Sequence, residues 1–293
     1  YVTSVLLRGA GGETWSPAGT VRPRGYEPVP PTRGWASHAY AYDPHIVTPL
    51  PGTPPGIYEV IVALFDRRTL TPASVLGGDG SPQGSDLVLG TVEVERPAAP
   101  YDLAVLGADE DAVARSCGPV GLRSMTLDRS TGAPGDVVAV RWVWEASSDV
   151  TASLTALLIL RNGAGEEVHA WSLPPVAAWW PTDRWRAGDR WAAQHVVRLP
   201  GSLQSGRYTL EARLSSCDDS LALVELEVEA PERVWDVSPD LLPSDVVYSV
   251  PAAEAGRGDD RPVIRLTGYA LARSSEALGL ELAWEALDEM DAS

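Results

Sequence analysis

The sequence contains no lysine, a single asparagine (Asn162), a single phenylalanine (Phe65) and only two cysteines in 293 residues. Long apolar stretches are missing as well: none reaches about 18 residues, so no membrane insertion is expected. Basic charge is scarce, 23 arginines against 40 acidic residues, for a net charge of −17. Binding nucleic acid or an anionic lipid surface needs a basic face, so neither partner is expected. The opening YVTSVLLRG lacks the basic region and cleavage site of a signal peptide, and no Met precedes it. It reads as a mature product or a piece of something longer, with any targeting segment outside it. The dearth of Asn, beside 25 prolines, is in keeping with a thermophilic source. HExxH, G-x-S-x-G, Walker and Cys-x-x-Cys patterns are all missing. No catalytic residue, metal or cofactor is therefore expected, and the chain is expected not to be an enzyme.

Helical periodicity is also nearly absent. In its place are short alternating apolar runs, separated by Gly and Pro at roughly ten-residue spacing, the pattern of an all-β sandwich. Examples are 57–65 (IYEVIVALF), 87–94 (LVLGTVEV), 137–144 (VVAVRWVW), 154–160 (LTALLIL), 207–214 (RYTLEARL) and 221–228 (LALVELEV).

These runs repeat. PTDRW at 181–185 answers PTRGW at 31–35, and SGRYTLEARL at 205–214 answers PGIYEVIVAL at 55–64, both 150 residues apart. His195 falls on His45 at the same offset, and each copy closes with a strand, LVLGTVEVERP at 87–97 and LALVELEVEAP at 221–231. The front of the second copy finds its partner at both ends of the chain. VRWVWEASSD at 140–149 resembles LELAWEALDE at 280–289, while LLILRNGAGEEV at 157–168 resembles SVLLRGAGGETW at 4–15. Trp144 to Glu166 spans 22 residues, and so does Trp284 through Ser293 and on from Tyr1 to Glu13. Upstream, YDLAVLG at 101–107 precedes GLRSMTL much as SDVVYSV at 244–250 precedes VIRLTGY, so it reads as a leading strand.

The expected organisation is a complete sandwich at 98–230, a linker at 231–243, and a split sandwich whose front half is 244–293 and whose back half is 1–97. Leu280, Leu282 and Trp284 on one side, with Tyr1, Val5 and Leu7 on the other, are the expected complementation interface, read as two halves of one hairpin. Unpaired edges and bare apolar faces are normally covered. The cover could come from the same chain, as in a permuted sandwich, from another copy in a head-to-tail assembly, or from the rest of a longer array.

With the copies aligned, the pattern is WEA, an apolar strand ending LLRxxxGE, PTxxW, PPGxYxVxVALFD and LGTVEV. It resembles the immunoglobulin or fibronectin III-like extracytoplasmic modules that occur in tandem in large surface proteins of thermophilic bacteria, including tails of glycosyltransferase-like membrane proteins. The resemblance implies an extracellular or cell-surface location and carries over no catalytic residue.

Cys117 and Cys217 both fall in the complete copy. In a secreted module a disulfide is expected, and one closing about 100 residues would stabilise by roughly 4.7 kcal/mol. Independent thiols are the alternative. Trp179, Trp180 and Trp191, with Arg190, could form a stacking surface for a glycan. Trp185 matches Trp35 and so reads as core. Asp79, Asp86 and the acidic run at 109–112 lack calcium-loop spacing and read as solvated turns. Arg257-Gly258-Asp259 sits in a polar stretch and is discounted as an adhesion motif. His45 and His195 share a position, which points to a shared structural role. The expected function is structural or adhesive: a subunit of a surface layer or filament assembled by strand complementation with copies of itself. A carbohydrate-binding or receptor module of a larger surface protein is the alternative.

Overall fold

The computed structural model describes residues 1–17, 40, 42–66, 68–69, 71–109, 115–217, 219–230, 242–250, 261–273 and 278–286. Strands dominate it. The alternating runs form them because side chains at every second position share one face. The chain divides into two compact units: Tyr1–Gly132, Asp136–Leu199 and Ser205–Val228 in one, and Ala133–Gly135, Pro200–Gln204 and Glu229–Ser293 in the other.

The first unit opens with β1 (Val2–Arg8), β2 (Gly56–Phe65) and β3 (Asp86–Val94), an antiparallel sheet in the order β1-β2-β3. The helix α1 (Leu103–Leu106) follows, where the sequence suggested a leading strand. One turn of helix wins because Leu103 and Leu106, three residues apart, both bury against Val143 and Ala192. Gly107, at φ 75°, ends it in the left-handed conformation. The leading strand is instead β4 (Arg115–Cys117), followed by β5 (Val120–Leu127), β6 (Thr131–Gly132), β7 (Val137–Ala146), β8 (Ala156–Arg161), β9 (Glu167–Leu173), β10 (Arg190–Arg198), β11 (Gly206–Leu214) and β12 (Ala222–Val228).

Two sheets, β10-β7-β5-β4 and β6-β12-β11-β8-β9, close over one core. Trp142 and Trp144 from the first, with Leu158, Leu160, Leu210, Leu214 and Leu226 from the second, are fully buried there. Trp185 is buried too, behind a short 3-10 turn at Thr182–Arg184. Thr182 fixes that turn by donating to the Ala152 carbonyl at 2.7 Å and accepting from the Leu154 amide at 2.8 Å.

The second unit holds β13 (Leu242–Val250), β14 (Arg261–Arg273) and β15 (Leu278–Ala286), in the order β13-β14-β15. The linker at 231–243 and the Arg257-Gly258-Asp259 tripeptide lie largely or wholly outside the described residues, as do PTRGW at 31–35 and most of the acidic run at 109–112.

The repeat is carried into hydrogen-bond register. Glu59 opposes Arg8 in β2–β1 as Thr209 opposes Arg161 in β11–β8, and Tyr58 opposes Val92 as Tyr208 opposes Leu226. Leu266 opposes Trp284 in β14–β15 as Leu122 opposes Trp144 in β5–β7, with an irregularity directly after the pair in both. The turn after β1 matches the turn after β8: Gly9 N to Glu13 O at 2.8 Å and Asn162 N to Glu166 O at 3.0 Å, with Gly12 and Gly165 both at positive φ. Thus β1-β2-β3 corresponds to β8-β11-β12, and β13-β14-β15 to β4-β5-β7. One sequence expectation is corrected by this order. β7 and β8 belong to different sheets, so their counterparts β15 and β1 are not two halves of one hairpin. In the complete copy the chain crosses from one sheet to the other between them.

Candidate functional site

Cys117, at the end of β4, is joined to Cys217, in the turn after β11, by a disulfide with a Cα–Cα distance of 6.0 Å. It ties the two sheets of the sandwich together at one rim.

The Trp-rich segment is engaged within the first unit. Trp180 and Trp191 are buried and meet edge-to-face at 5.7 Å between centroids. The Arg96 guanidinium lies 5.1 Å from the Trp180 ring centre and 5.7 Å from that of Trp191, so the cation over these rings comes from the chain itself. Arg96 also pairs with Asp189 and donates to the Arg184 carbonyl at 2.9 Å. Trp179 donates through Nε1 to Glu13 at 2.9 Å and contacts Trp15 and Tyr58 edge-on. Arg190 donates to Glu145 at 2.8 Å and to the Tyr101 carbonyl at 3.1 Å. Burial pushes the Glu145 carboxyl up, but the hydrogen bonds from Arg190 and Arg123 outweigh it and hold the group below its ordinary range. The four residues read as a ligand surface therefore serve the packing of β1-β2-β3 and its neighbouring loops onto the sandwich.

That packing tolerates little added bulk. Gly52, at φ 84°, passes its carbonyl to the Ala192 amide at 3.2 Å, and a Cβ there would stand 2.5 Å from the same nitrogen. Tyr58, whose hydroxyl donates to the Pro54 carbonyl at 2.6 Å, is fully buried. Its phenol is pushed well above the ordinary range, by burial first and by the Glu13 charge second.

His195 is half-buried against Trp142, with ring centres 4.9 Å apart, while its counterpart His45 sits 3.1 Å from Asp43. Burial pushes the His195 imidazole down to about 4, against the raising effects of a bond to the Pro175 backbone and of Glu13. Among the described residues no group of three or more His, Cys, Asp or Glu side chains could hold a metal. No described helix is long and apolar enough to cross a membrane.

The expected interface residues divide. Val5 and Leu7 are buried within the first unit, and Tyr1 is 62% exposed. Leu282 is 41% exposed; Leu280 and Trp284 are placed in β15 by their backbones, and their side chains lie outside the described residues. More telling are positions the sequence reading did not single out. Val92 is 40% and Leu64 43% exposed, where their counterparts Leu226 and Leu214 are fully buried. Leu282 is the counterpart of fully buried Trp142. Leu282 was among the expected interface residues; the aligned repeats could have flagged Val92 and Leu64 as well. Nothing in the local pattern flags Arg96, whose partners are more than 80 residues away.

No protein-family model and no curated protein sequence matches this chain. Among the solved structures with a partial likeness to it are the following two. The Pseudomonas fluorescens alkylpurine DNA glycosylase AlkC, bound to DNA containing an abasic-site analogue, matches over 44% of this chain and 33% of its own, at 14% identity and a TM-score of 0.30. The chain thus spans about a third of that protein's length. The C-terminal domain of Wzt matches over 44% of this chain and 85% of its own, at 10% identity and a TM-score of 0.32. The expectation that the chain is not an enzyme is corrected on the first of these. One structure it partly resembles is an enzyme's, so the expectation is withdrawn, while likeness at this level assigns no activity.

Proposed function

We propose that the chain is a structural or adhesive extracellular protein, a subunit of a surface layer or filament built from immunoglobulin-like sandwich modules. In it, the exposed part of the β1-β2-β3 face, at Leu64 and Val92 beside buried Tyr58, and the exposed Leu282 of β15 are covered by the complementary sheet of a neighbouring copy. The carrying observation is the shared register combined with unequal burial: Leu64, Val92 and Leu282 stand open where Leu214, Leu226 and Trp142 form a core. The buried tyrosine bonded to a backbone carbonyl four residues upstream resembles the tyrosine corner of immunoglobulin-like sandwiches and supports the finer fold reading. The disulfide supports an oxidising, extracytoplasmic setting.

Magnitudes set a condition on this reading. Covering each open Leu or Val yields about 1.5–3 kcal/mol at most, while association costs roughly 4–15 kcal/mol. Three side chains do not suffice; the whole face, and new strand pairing, must take part. The test is deletion of residues 280–293. High-mass species in light scattering should disappear, and assembly unaffected by the deletion would overturn the proposal.

A further inference from the structure

The outer side of the sheet β10-β7-β5-β4 carries a cleft. Arg141 of β7 and Gln194 of β10 stand directly opposite one another in the antiparallel pair, so both side chains leave the sheet on the same face. That face points away from the core, because Val140 and Trp142, next to Arg141 in the alternation, are fully buried on the other. With Leu50, Val105 and Ala192 as an apolar wall, and with Glu13 and Thr14 beside them, the two residues line a cleft of about 210 Å³. Main-chain bonds hold the wall: the Leu50 amide donates to the Trp15 carbonyl at 2.9 Å and the Ala192 amide to the Gly52 carbonyl at 3.2 Å. All these residues belong to the first unit, and none of Trp179, Trp180, Trp191 or Arg190 lines the cleft.

Arg141 differs from most arginines of this acidic chain. Arg8, Arg123, Arg161, Arg190 and Arg213 each meet a carboxylate. Among the described residues the exposed Arg141 guanidinium and the exposed Gln194 carboxamide have no such partner, although the Glu13 carboxylate lines the same cleft. We infer that this cleft binds a sugar acid, a monocarboxylate with an apolar ring face and hydroxyl groups. A guanidinium grips a carboxylate through two parallel N–H donors. Gln194 and Thr14 can each donate and accept, as hydroxyl groups require. Glu13 takes the Trp179 Nε1–H on Oε1 at 2.9 Å, which leaves Oε2 to accept a further hydroxyl. An apolar wall with a few convergent polar groups is the usual make-up of a small-molecule site, and the ring C–H face fits that wall. A dianion such as phosphate fits less well, since Arg141 is the one cation lining the cleft and Glu13 adds a negative charge. The inference goes beyond the structural reading and does not depend on assembly.

The experiment is isothermal titration of the intact chain with sodium glucuronate, with glucose as the neutral parent. The inference predicts saturable, millimolar binding of glucuronate and binding of glucose weaker by about ten-fold or more, the worth of a hydrogen bond to a charged group. Arg141→Gln should lose about ten-fold or more, and Gln194→Ala about two- to ten-fold. Arg186→Gln, which removes an exposed arginine outside the cleft, should leave the affinity unchanged. Urea titration should show all three variants folded, because each changed side chain is exposed. A glucuronate-terminated oligosaccharide that binds more tightly than the free acid would identify the end of a glycan as the source. No saturable binding of glucuronate, equal binding of glucose, or full affinity in Arg141→Gln would overturn the inference. So would equal losses in Arg141→Gln and Arg186→Gln, which mark general charge attraction.

Discussion

The complete sandwich and the two separate sheets form a controlled comparison inside one chain. Strand order, an irregularity and a turn are shared, and the register is shared up to the shift after Val60 in β2–β3, yet burial differs. Trp142, Leu214 and Leu226 are sealed in a core, and their counterparts Leu282, Leu64 and Val92 are open by 40% or more. Pairing within a sheet is thus specified by each segment's own alternation and turns, while Trp142, Leu214 and Leu226 are sealed by the arrival of a second sheet.

The comparison can be pressed hardest at the tryptophan position. Trp142→Ala should destabilise the complete sandwich by about 3–5 kcal/mol, whereas Leu282→Ala should cost the dilute protein under about 1 kcal/mol, because so much of that side chain is already in water. Urea titrations of the two variants check this. Assembly should raise the cost of Leu282→Ala, and a cost unchanged by concentration would break the comparison.

A smaller effect concerns His195. Burial holds His195 at about 4 against its ordinary 6.5, so between those values the unfolded chain binds a proton that the folded chain does not. Its contribution is complete above about pH 6.5 and is lost as the pH falls toward 4, by roughly 3 kcal/mol at most. Glu145 and Glu211, held low by their arginines in spite of burial, lose their contribution only on further acidification, through the carboxylate range. A Tm series from pH 7 to 4 should show the slope, and His195→Phe should flatten it.

The smallest expected effect concerns the junction after each closing strand. Arg96 follows β3 and sits over Trp180 and Trp191; Ala230 stands at the matching place after β12 and has no cation to offer. Arg96→Ala should loosen the first junction by about 1–2 kcal/mol, the range for a desolvated cation-π contact. Faster proteolysis between β3 and β4, with the sandwich itself intact, is the readout.

Much of this was legible in the sequence. Alternation located β2, β7, β8, β11 and β12 to within two residues at each end, because apolar side chains every second residue report a half-buried sheet directly. Matched segments, at 150 residues for β2 and β11 and at other offsets elsewhere, suggested which strands correspond between the copies. Three things were not legible. YDLAVLG alternates as well as a strand does, and only Val143 and Ala192 beneath it make Leu103 and Leu106 better as one helical turn. The hairpin reading failed because adjacency in sequence does not reveal which sheet the next strand joins. Trp180 and Trp191 read as a binding surface because the arginine that covers them lies far away in the chain.

The central claim is that the exposed Leu64, Val92 and Leu282 are covered by other copies of the chain. Multi-angle light scattering of the intact protein over a concentration series tests it most directly. The account predicts a mass that climbs with concentration in steps of 31.2 kDa. A constant 31.2 kDa at every concentration would contradict it.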